Sequence, residues 1–343
     1  MVKVPPVPVP CAIPRIAVIV PAYGVAHLVG EALASLQAQT MSDWECVVID
    51  DGAPDDVAGA LAPFAADRRI RLVQTGNHGV SAARNTAIAA TTAPLIALLD
   101  GDDRLRPAYL ETMAAIVEHD PAVRLAACNA VMFGALARER LCFTQPQGSS
   151  DGRHGSLADV LDRSFNVYIG ATFRRADVAL AGGFDPAMSH AEDFDLWVRL
   201  LELGGTAYYI DQPLGEYRVR AHSASADTLR LLHGNMKVYC KAQARLAAGH
   251  PVQPVVSAMI AETQRSLDFQ YALLRIAGGE TARGLAELRA ARGLVGGPVW
   301  NLSFALWRIA PWLARPMLDW RQRGMVRGAK RSSLAAVLAG SKP

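Results

Sequence analysis

The amino-acid sequence predicts an α/β fold in which a mostly parallel sheet is flanked by helices. Three apolar runs, Ile16–Val20, Val47–Ile49 and Leu95–Leu99, show no alternation of apolar and polar residues, which favours strands buried on both faces. Segments with apolar residues at helical spacing lie between these runs. Strands that alternate with helices in this way are typical of a doubly wound sheet.

The same patterns place each element in chain order. The second predicted helix has two candidate caps, Asp55 and Asp56, because short acidic side chains favour a helix start. The predicted strands are 15–24, 44–52, 71–74, 95–99 and 126–133, and the predicted helices are 24–39, 57–66, 79–90 and 194–201.

Composition and charge indicate a globular body with a basic C-terminal segment. The 343 residues are enough for two domains, and 51% hydrophobic with 20% charged residues is typical of a folded protein. Residues 298–343 contain eight Lys or Arg and the single acid Asp319, a net charge of +7, so the remaining residues carry −4 of the total +3. This asymmetry predicts an anionic surface as a partner of the segment.

Cysteine usage and the N-terminal sequence favour a cytoplasmic protein. The five cysteines are widely spaced and form no Cys-x-x-Cys pair, which argues against a disulfide framework and a zinc site. Residues 1–14 form a proline-rich leader unsuited to the helix of a signal peptide. No uncharged apolar run reaches the roughly 18 residues that span a bilayer.

Three carboxylates, Asp100, Asp102 and Asp103, directly follow the apolar run Leu95–Leu99. Carboxylates this close repel one another unless a divalent cation or a polar network neutralises them, which predicts a metal-diphosphate site. The alternative is an acidic turn in which Asp102 or Asp103 caps a helix that begins near Pro107.

Polar residues also end the other predicted strands. Tyr23 follows the first strand, and Asp50 and Asp51 end the second. Since ligands of such sheets lie outside the carboxyl ends of the strands, we expect these side chains to share a site with Asp100 and Asp102. The sequence has no Gly-x-Gly-x-x-Gly after the first strand and no Gly-Lys-Ser/Thr loop, so a nucleotide here would need a metal at its phosphates.

Five segments in order resemble the inverting glycosyltransferases of family 2. The resemblance covers residues 15–225 and implies the GT-A fold, a Rossmann-like, mostly parallel mixed sheet flanked by helices. The segments are Val18–Tyr23, Ser35–Thr40, Val48–Gly52, Gly79–Asn85 and Leu99–Asp103.

The resemblance implies a nucleotide-sugar site with a metal, Mn²⁺ or Mg²⁺. Pro21, Tyr23 and Asp51 would hold the base, most often uracil, and Asp100 and Asp102 would bind the metal that grips the diphosphate. The further residues assigned to the donor pocket are Ala22, Asp50, Asn77, Gly79, Arg84 and Gly101.

Two positions on the donor side, Arg84 and Gly24, either have a second interpretation or depart from the family pattern. Arg84 would pair with the donor phosphate or with the acids, but it could equally form an ion pair on a helix surface. The family usually has Asn after the tyrosine, whereas this chain has Gly24, a change that we expect to affect the local turn rather than activity.

Glu192 and Asp193 lie at the first turn of a predicted helix that contains Trp197. Acids favour a helix N-terminus in any protein, because the helix dipole stabilises negative charge. In the family the same pair provides the catalytic base, so the resemblance assigns this role to Asp193, a supporting role to Glu192 and an acceptor contact to Trp197. Asp195 is expected to be a cap or a surface acid.

Residues after 225 differ in composition from the catalytic region and predict a helical appendage. His222 could complete the metal site, although a lone histidine is often an ordinary loop residue. Aromatic residues, four Trp and Phe304 among them, are interleaved with Arg between 298 and 331. They predict either contact with an anionic membrane surface or aromatic packing of the appendage onto the catalytic domain.

These observations predict three segments: leader 1–14, catalytic domain 15–225 with a donor half 15–105 and an acceptor half 106–225, and appendage 226–343. The predicted function is metal-dependent, inverting sugar transfer from a nucleotide donor, with UDP favoured, to a hydroxyl of a glycan or lipid-linked acceptor. The protein would act in the cytoplasm or at the inner face of the cell membrane, without nucleic acid. The alternative is an inactive GT-A-like binding or scaffold protein at a membrane surface.

Overall fold

The computed structural model describes residues 13–145, 147, 153–167, 170–220, 228–290 and 298–318. It confirms the predicted class, an α/β fold with a mixed sheet flanked by helices and further helices at the C-terminal end. The strands are β1 Ile16–Ala22, β2 Trp44–Asp51, β3 Ile70–Thr75, β4 Leu95–Leu98, β5 Arg104–Leu105, β6 Val123–Gly134, β7 Arg140–Leu141, β8 His154–Gly155, β9 Thr172–Arg174 and β10 Thr206–Val219. The α-helices are α1 Ala26–Gln37, α2 Val57–Leu61, α3 Val80–Ala89, α4 Tyr109–His119, α5 Leu157–Leu161, α6 Arg175–Leu180, α7 Glu192–Glu202, α8 Thr228–Arg245, α9 Gln253–Ala277, α10 Thr281–Ala290 and α11 Pro298–Ile309.

The sheet has the strand order β3-β2-β1-β4-β9-β6-β10-β5. β1, β2, β3 and β4 are mutually parallel, as the alternation of strands and helices predicts. β9 pairs antiparallel with both β4 and β6. This short strand is absent from the sequence-based prediction. Together with the antiparallel pairs of β10 with β5 and β8, it makes the sheet mixed.

The core beside β1 explains why its residues form a strand. Ile16, Val18 and Val20 belong to one buried cluster that also contains Val29 and Leu33 of α1. Burying each of these side chains contributes about 1.5–3 kcal/mol. The 3.6-residue period of the helix and the two-residue period of the strand therefore present matching apolar surfaces.

The segment after Asp103 differs from the capped-turn interpretation. It forms the short strand β5, whose Leu105 pairs with Gly215 of β10. α4 then begins at Tyr109, and its N-cap residue Ala108 has no side-chain cap hydrogen bond. Because strand pairing separates the acids from the helix, neither Asp102 nor Asp103 caps it.

The chain divides into two compact units. The first comprises residues 1–131, 141–160 and 164–217, and the second comprises 132–140, 161–163 and 218–343, each within the described residues. None of the described helices is long and apolar enough to cross a membrane. His222, the leader up to residue 12 and the basic segment from 319 onward lie outside the described residues.

The second unit has its own apolar core. Phe304 and Trp307 of α11 are buried and share a cluster with Ile276 of α9 and Leu285 of α10. Their rings meet edge to face with centroids 5.8 Å apart, a favourable aromatic geometry. These two aromatic residues therefore pack within the helical unit rather than on its exposed surface.

Candidate functional site

The polar residues predicted at the strand ends lie at one edge of the sheet. Ala22 at the end of β1 is level with Asp50 of β2, and the Leu99 amide after β4 donates to the carbonyl of Ile19 in β1 at 3.1 Å. A Cβ atom on Gly101 would lie 2.9 Å from the Pro21 carbonyl oxygen. Glycine is required because the turn after β4 packs directly on the end of β1.

Asp100, Asp102 and Asp103 form an acidic turn that can hold a divalent cation. Each offers a carboxylate oxygen, and these oxygens lie within 4.8 Å of one another. Asp103 is buried, whereas Asp100 and Asp102 are partly exposed. Hard oxygen ligands of this kind suit Mg²⁺ or Mn²⁺, so the residues present fit the predicted metal.

Arg84 of α3 is a buried cation between two acidic segments. Its Nη2 donates to Asp100 Oδ1 at 2.9 Å and its Nη1 donates to Glu192 Oε1 at 2.7 Å, and its guanidinium lies 5.3 Å from the ring centroid of Phe184. Burial alone would lower the pKa of Arg84, but the charges of Asp100, Glu192 and Asp193 outweigh it and raise the pKa above its usual value. The surface ion-pair alternative for Arg84 is therefore wrong.

Asn85, next to Arg84, holds the loop that carries Phe184. Its side chain accepts from the Phe184 amide at 2.8 Å and donates to the Phe184 carbonyl at 2.7 Å. Gly183 adopts φ +73°, and a Cβ there would lie 2.8 Å from Asn85 Oδ1. Asn85 belongs to the Gly79–Asn85 segment, but its long-range role was not predicted from the sequence.

Glu192 and Asp193 form the first turn of α7. Ala191 precedes them in a left-handed conformation with φ 57°, which costs a residue with a Cβ about 1–2 kcal/mol. Asp193 Oδ1 accepts from the Phe194 amide at 2.7 Å. Local backbone strain of this kind is frequently stored at functional sites.

Asp195 and Trp197 on the same helix face inward. Asp195 is buried and pairs with Arg199 at 2.7 Å, so the expectation of a cap or surface acid is wrong. Trp197 is 2% exposed, packs against Phe173, and its indole N–H has no hydrogen-bond partner in the described part of the chain. The predicted acceptor contact thus lies on a side chain that the fold turns into the core.

Asp50 and Asp51 are buried and hold adjacent backbone. Asp51 accepts from the Gly79 amide at 2.7 Å and from the His78 amide at 3.0 Å. Asp50 accepts from the Ala53 amide at 2.9 Å. Asp51 therefore fixes the loop that begins α3, and exposed Asn77 lies in the same loop.

Gly24, the departure from the family pattern, is supported by Asp55. Gly24 has φ +67°, and Asp55 accepts from the amides of Gly24 at 3.1 Å and Ala26 at 2.7 Å. Asp56 instead caps α2 through the Gly59 amide, which settles the two candidate caps. Tyr23 remains 53% exposed at this turn.

Two family models match the chain. The model described as "Glycosyl transferase family 2" matches residues 17–141. The model described as "Glycosyl transferase family group 2" matches residues 95–314, which is more than half of the chain.

One curated relative, also described as a glycosyltransferase, matches the chain over part of its length. The chain is 37% identical over 109 residues to "Uncharacterized glycosyltransferase EpsJ" of Bacillus subtilis (strain 168). The match covers 32% of this chain and 32% of EpsJ, so the chain spans about a third of that relative.

Solved structures share the fold. S. aureus TarS 1–349 in complex with UDP-GlcNAc has a TM-score of 0.61 and 14% identity, covering 90% of this chain and 92% of that chain. Mannosyltransferase PcManGT from Pyrobaculum calidifontis, in complex with GDP-Man and Mn²⁺, has a TM-score of 0.57 and 21% identity, covering 90% and 87%. These likenesses support the predicted GT-A fold.

Replacing Arg84 by Leu should lower the free energy of unfolding by about 3 kcal/mol, because the Asp100 and Glu192 carboxylates lose their shared cation. Urea denaturation measures the change. The control is Arg71→Leu, since Arg71 forms a more exposed pair with Glu45 and should cost less than about 1 kcal/mol. If both variants lose the same free energy of unfolding, the buried pairs of Arg84 stabilise the fold no more than an exposed pair does, which would contradict the prediction.

Proposed function

The chain belongs to glycosyl transferase family 2, and from this premise we propose that it is a metal-dependent, inverting enzyme that uses a nucleotide sugar, with UDP as the favoured nucleotide. The acceptor would be a hydroxyl of a glycan or a lipid-linked saccharide. One observation carries the proposal: buried Arg84 joins Asp100 of the acidic turn to Glu192, the neighbour of the candidate base Asp193. A site that joins these groups can both bind a diphosphate and activate a hydroxyl.

The donor base would lie on the exposed side chain of Tyr23, beside Pro21 and Ala22. An aromatic ring can stack on a planar base, and the loop of Asn77 and Gly79 borders the same sheet edge. The complexes of TarS with UDP-GlcNAc and of PcManGT with GDP-Man support a nucleotide sugar as the donor class. Asp51 would act through the loop that it fixes.

Asp100 and Asp102 would hold Mn²⁺ or Mg²⁺, with buried Asp103 supporting the turn. When bound, the metal supplies Lewis-acid stabilisation of the charge that develops on the departing diphosphate. Arg84 keeps the Asp100 carboxylate in position through its 2.9 Å contact. His222, which could complete the same site, stays a proposal.

Asp193 would act as the general base. The acceptor hydroxyl gives its proton to the Asp193 carboxylate while its oxygen attacks C1 of the donor sugar. The bond from C1 to the diphosphate oxygen breaks with both electrons leaving on the diphosphate, so the configuration at C1 inverts. Glu192 would position this turn through its hydrogen bond to Arg84.

The domain assignment stays part of the proposal. Residues 15–105 would bind the donor, 106–225 would bind the acceptor, and 226–343 would be an appendage. If UDP binds but no sugar is released or transferred, the alternative of a GT-A-like binding or scaffold protein gains support.

We expect UDP with Mn²⁺ to raise the melting temperature, because a ligand that binds the folded state stabilises it. Asp102→Asn should remove most of the Mn²⁺-dependent part of this shift. Thermal shift with UDP, UDP-GlcNAc and GDP-Man, each with Mn²⁺ or EDTA, measures it. Asp185→Asn, an acid outside the turn, should behave like wild type. An absent shift with all three nucleotides would contradict the proposed donor class.

Asp193→Asn should lower the rate of UDP release by about 100-fold or more, because an amide cannot accept the proton. The donor in this assay is a UDP-sugar that raises the melting temperature of the wild-type protein. The variant's affinity for UDP should stay within about twofold of wild type. A coupled UDP-release assay and calorimetry measure the two quantities. Glu202→Gln at the other end of α7 is the matched control. Wild-type turnover in Asp193→Asn would remove Asp193 from the base role.

We also propose that α11 contacts an anionic membrane surface through its exposed face. On α11, Leu302, Leu306 and Ile309 are exposed and spaced three or four residues apart, and Ile309 is 81% exposed. Trp312, which is 70% exposed, lies just beyond the end of the helix. Exposed Arg308 lies in the last turn of α11. Exposed apolar residues beside a cation suit the interface of anionic lipids. Phe304 and Trp307 are not part of this surface, because they are buried in the helical unit.

The double variant Ile309→Ser/Trp312→Ser should pellet at least about threefold less with phosphatidylglycerol-containing vesicles, because apolar burial and charge attraction act together. Co-sedimentation measures the bound fraction. Leu180→Ser, an equally exposed leucine of the first unit, is the control. Pelleting at the wild-type level would exclude this face as the contact.

A further inference from the structure

A groove on the first unit is separate from the strand-end site. It is a cavity of about 760 Å³, and we call it the Asp211 groove after its central acid. Its lining includes Phe143, Gln145, Arg153, Tyr208, Asp211 and Gln212. None of the sequence motifs reaches these residues.

The Asp211 carboxylate is held from beneath by two buried donors. Asn129 Nδ2 and the Tyr209 hydroxyl both donate to Asp211 Oδ1 at 2.8 Å. Asn129 and Tyr209 are buried, whereas Asp211 is exposed. Oδ2 accepts no hydrogen bond from any residue in the described ranges, so one oxygen is fixed and the other remains available to a ligand.

Asn129 also positions one wall of the groove. Its Oδ1 accepts from the Phe143 amide at 3.1 Å, and its Nδ2 donates to the Phe143 carbonyl at 2.9 Å. One buried side chain therefore sets both the Phe143 backbone and the Asp211 carboxylate. Buried polar networks rigidify a structure when they are satisfied, and this one organises a surface feature rather than core packing.

Aromatic surface completes the groove. Tyr208 meets His154 edge to face at 4.9 Å, and Phe143 meets Tyr209 edge to face at 6.0 Å. These contacts hold the rings of Tyr208 and Phe143 in defined orientations. Fixed rings beside a carboxylate, a guanidinium and amides suit a ligand with apolar faces and a rim of hydroxyl groups.

We propose that the Asp211 groove binds a pyranose unit of the saccharide acceptor, an inference that rests on the proposed transferase function. The C–H face of a pyranose packs on an aromatic ring, and its hydroxyls can donate to Asp211 Oδ2 and accept from Arg153 or Gln212. A diphosphate would be repelled by the fixed carboxylate. The chemistry therefore favours the acceptor saccharide over the donor nucleotide.

The strand path connects the groove to the proposed reaction site. Tyr208 and Asp211 lie on β10, whose Gly215 pairs with Leu105 directly after the acidic turn. From Asp211 to Gly215 the strand spans about 13 Å at 3.3 Å per residue. This separation suits a sugar unit of an extended glycan other than the one that carries the reacting hydroxyl.

The test uses saturation-transfer NMR with the full chain and the methyl glycosides of glucose, galactose, mannose and N-acetylglucosamine in both anomeric forms. At least one glycoside should receive saturation, and UDP should not displace it. Tyr208→Leu should weaken that binding by about tenfold or more, which is 1.4 kcal/mol. Tyr208→Phe, which keeps the ring, should stay within about twofold of wild type.

Asp211→Asn tests the carboxylate without disturbing the network. The asparagine oxygen can still accept from Asn129 and Tyr209, whereas an NH2 group, which only donates, replaces Oδ2. Glycoside binding should therefore fall by about fivefold or more with an unchanged melting temperature. Tyr271→Leu, at an exposed tyrosine of α9, is the control and should bind normally.

The groove assignment is overturned if none of the glycosides receives saturation. It is also overturned if glycoside binding survives both Tyr208→Leu and Asp211→Asn. UDP binding is measured separately in the same samples. Wild-type protein that binds UDP but no glycoside contradicts only this inference. Protein that binds no nucleotide contradicts the proposed function itself.

Discussion

The buried charge of Arg84 is the constraint on which the candidate site depends. Five acids gather at one region, three in the turn after β4 and two at the start of α7. Like charges at such distances repel strongly where water is partly excluded. Arg84 offsets this repulsion with charge-assisted hydrogen bonds to Asp100 and Glu192, so the acidic turn and α7 are held by one side chain of α3.

The neighbouring residue Asn85 extends the same link through the backbone. Arg84 pairs with carboxylates, while Asn85 binds the main chain of Phe184 and leaves room only for a glycine at 183. Two consecutive positions of α3 thus hold a loop about a hundred residues later in the chain. The antiparallel strand β9 makes this possible, because it inserts between β4 and β6 and brings the second half of the sheet beside the first.

Side chains with the same local signal took different roles. Asp55 and Asp56 are equally good caps by sequence, yet Asp55 holds the Gly24 turn and Asp56 caps α2. Trp197 and Asp195 look like surface or ligand residues beside an acidic helix start, but the helix turns both inward. Local propensity is silent on which face of a helix meets a sheet that is assembled from distant segments.

By itself the sequence determined the class of the fold, the four parallel strands and the gathering of Tyr23, Asp51 and Asp100 at one edge. It could do so because apolar runs without alternation bury both faces of a strand, and parallel strands end on one side of a sheet. Only the tertiary structure decided the roles of Arg84, Asn85 and Asp55 and the existence of the Asp211 groove. Each depends on contacts between residues far apart in the chain, which packing creates and no local pattern records.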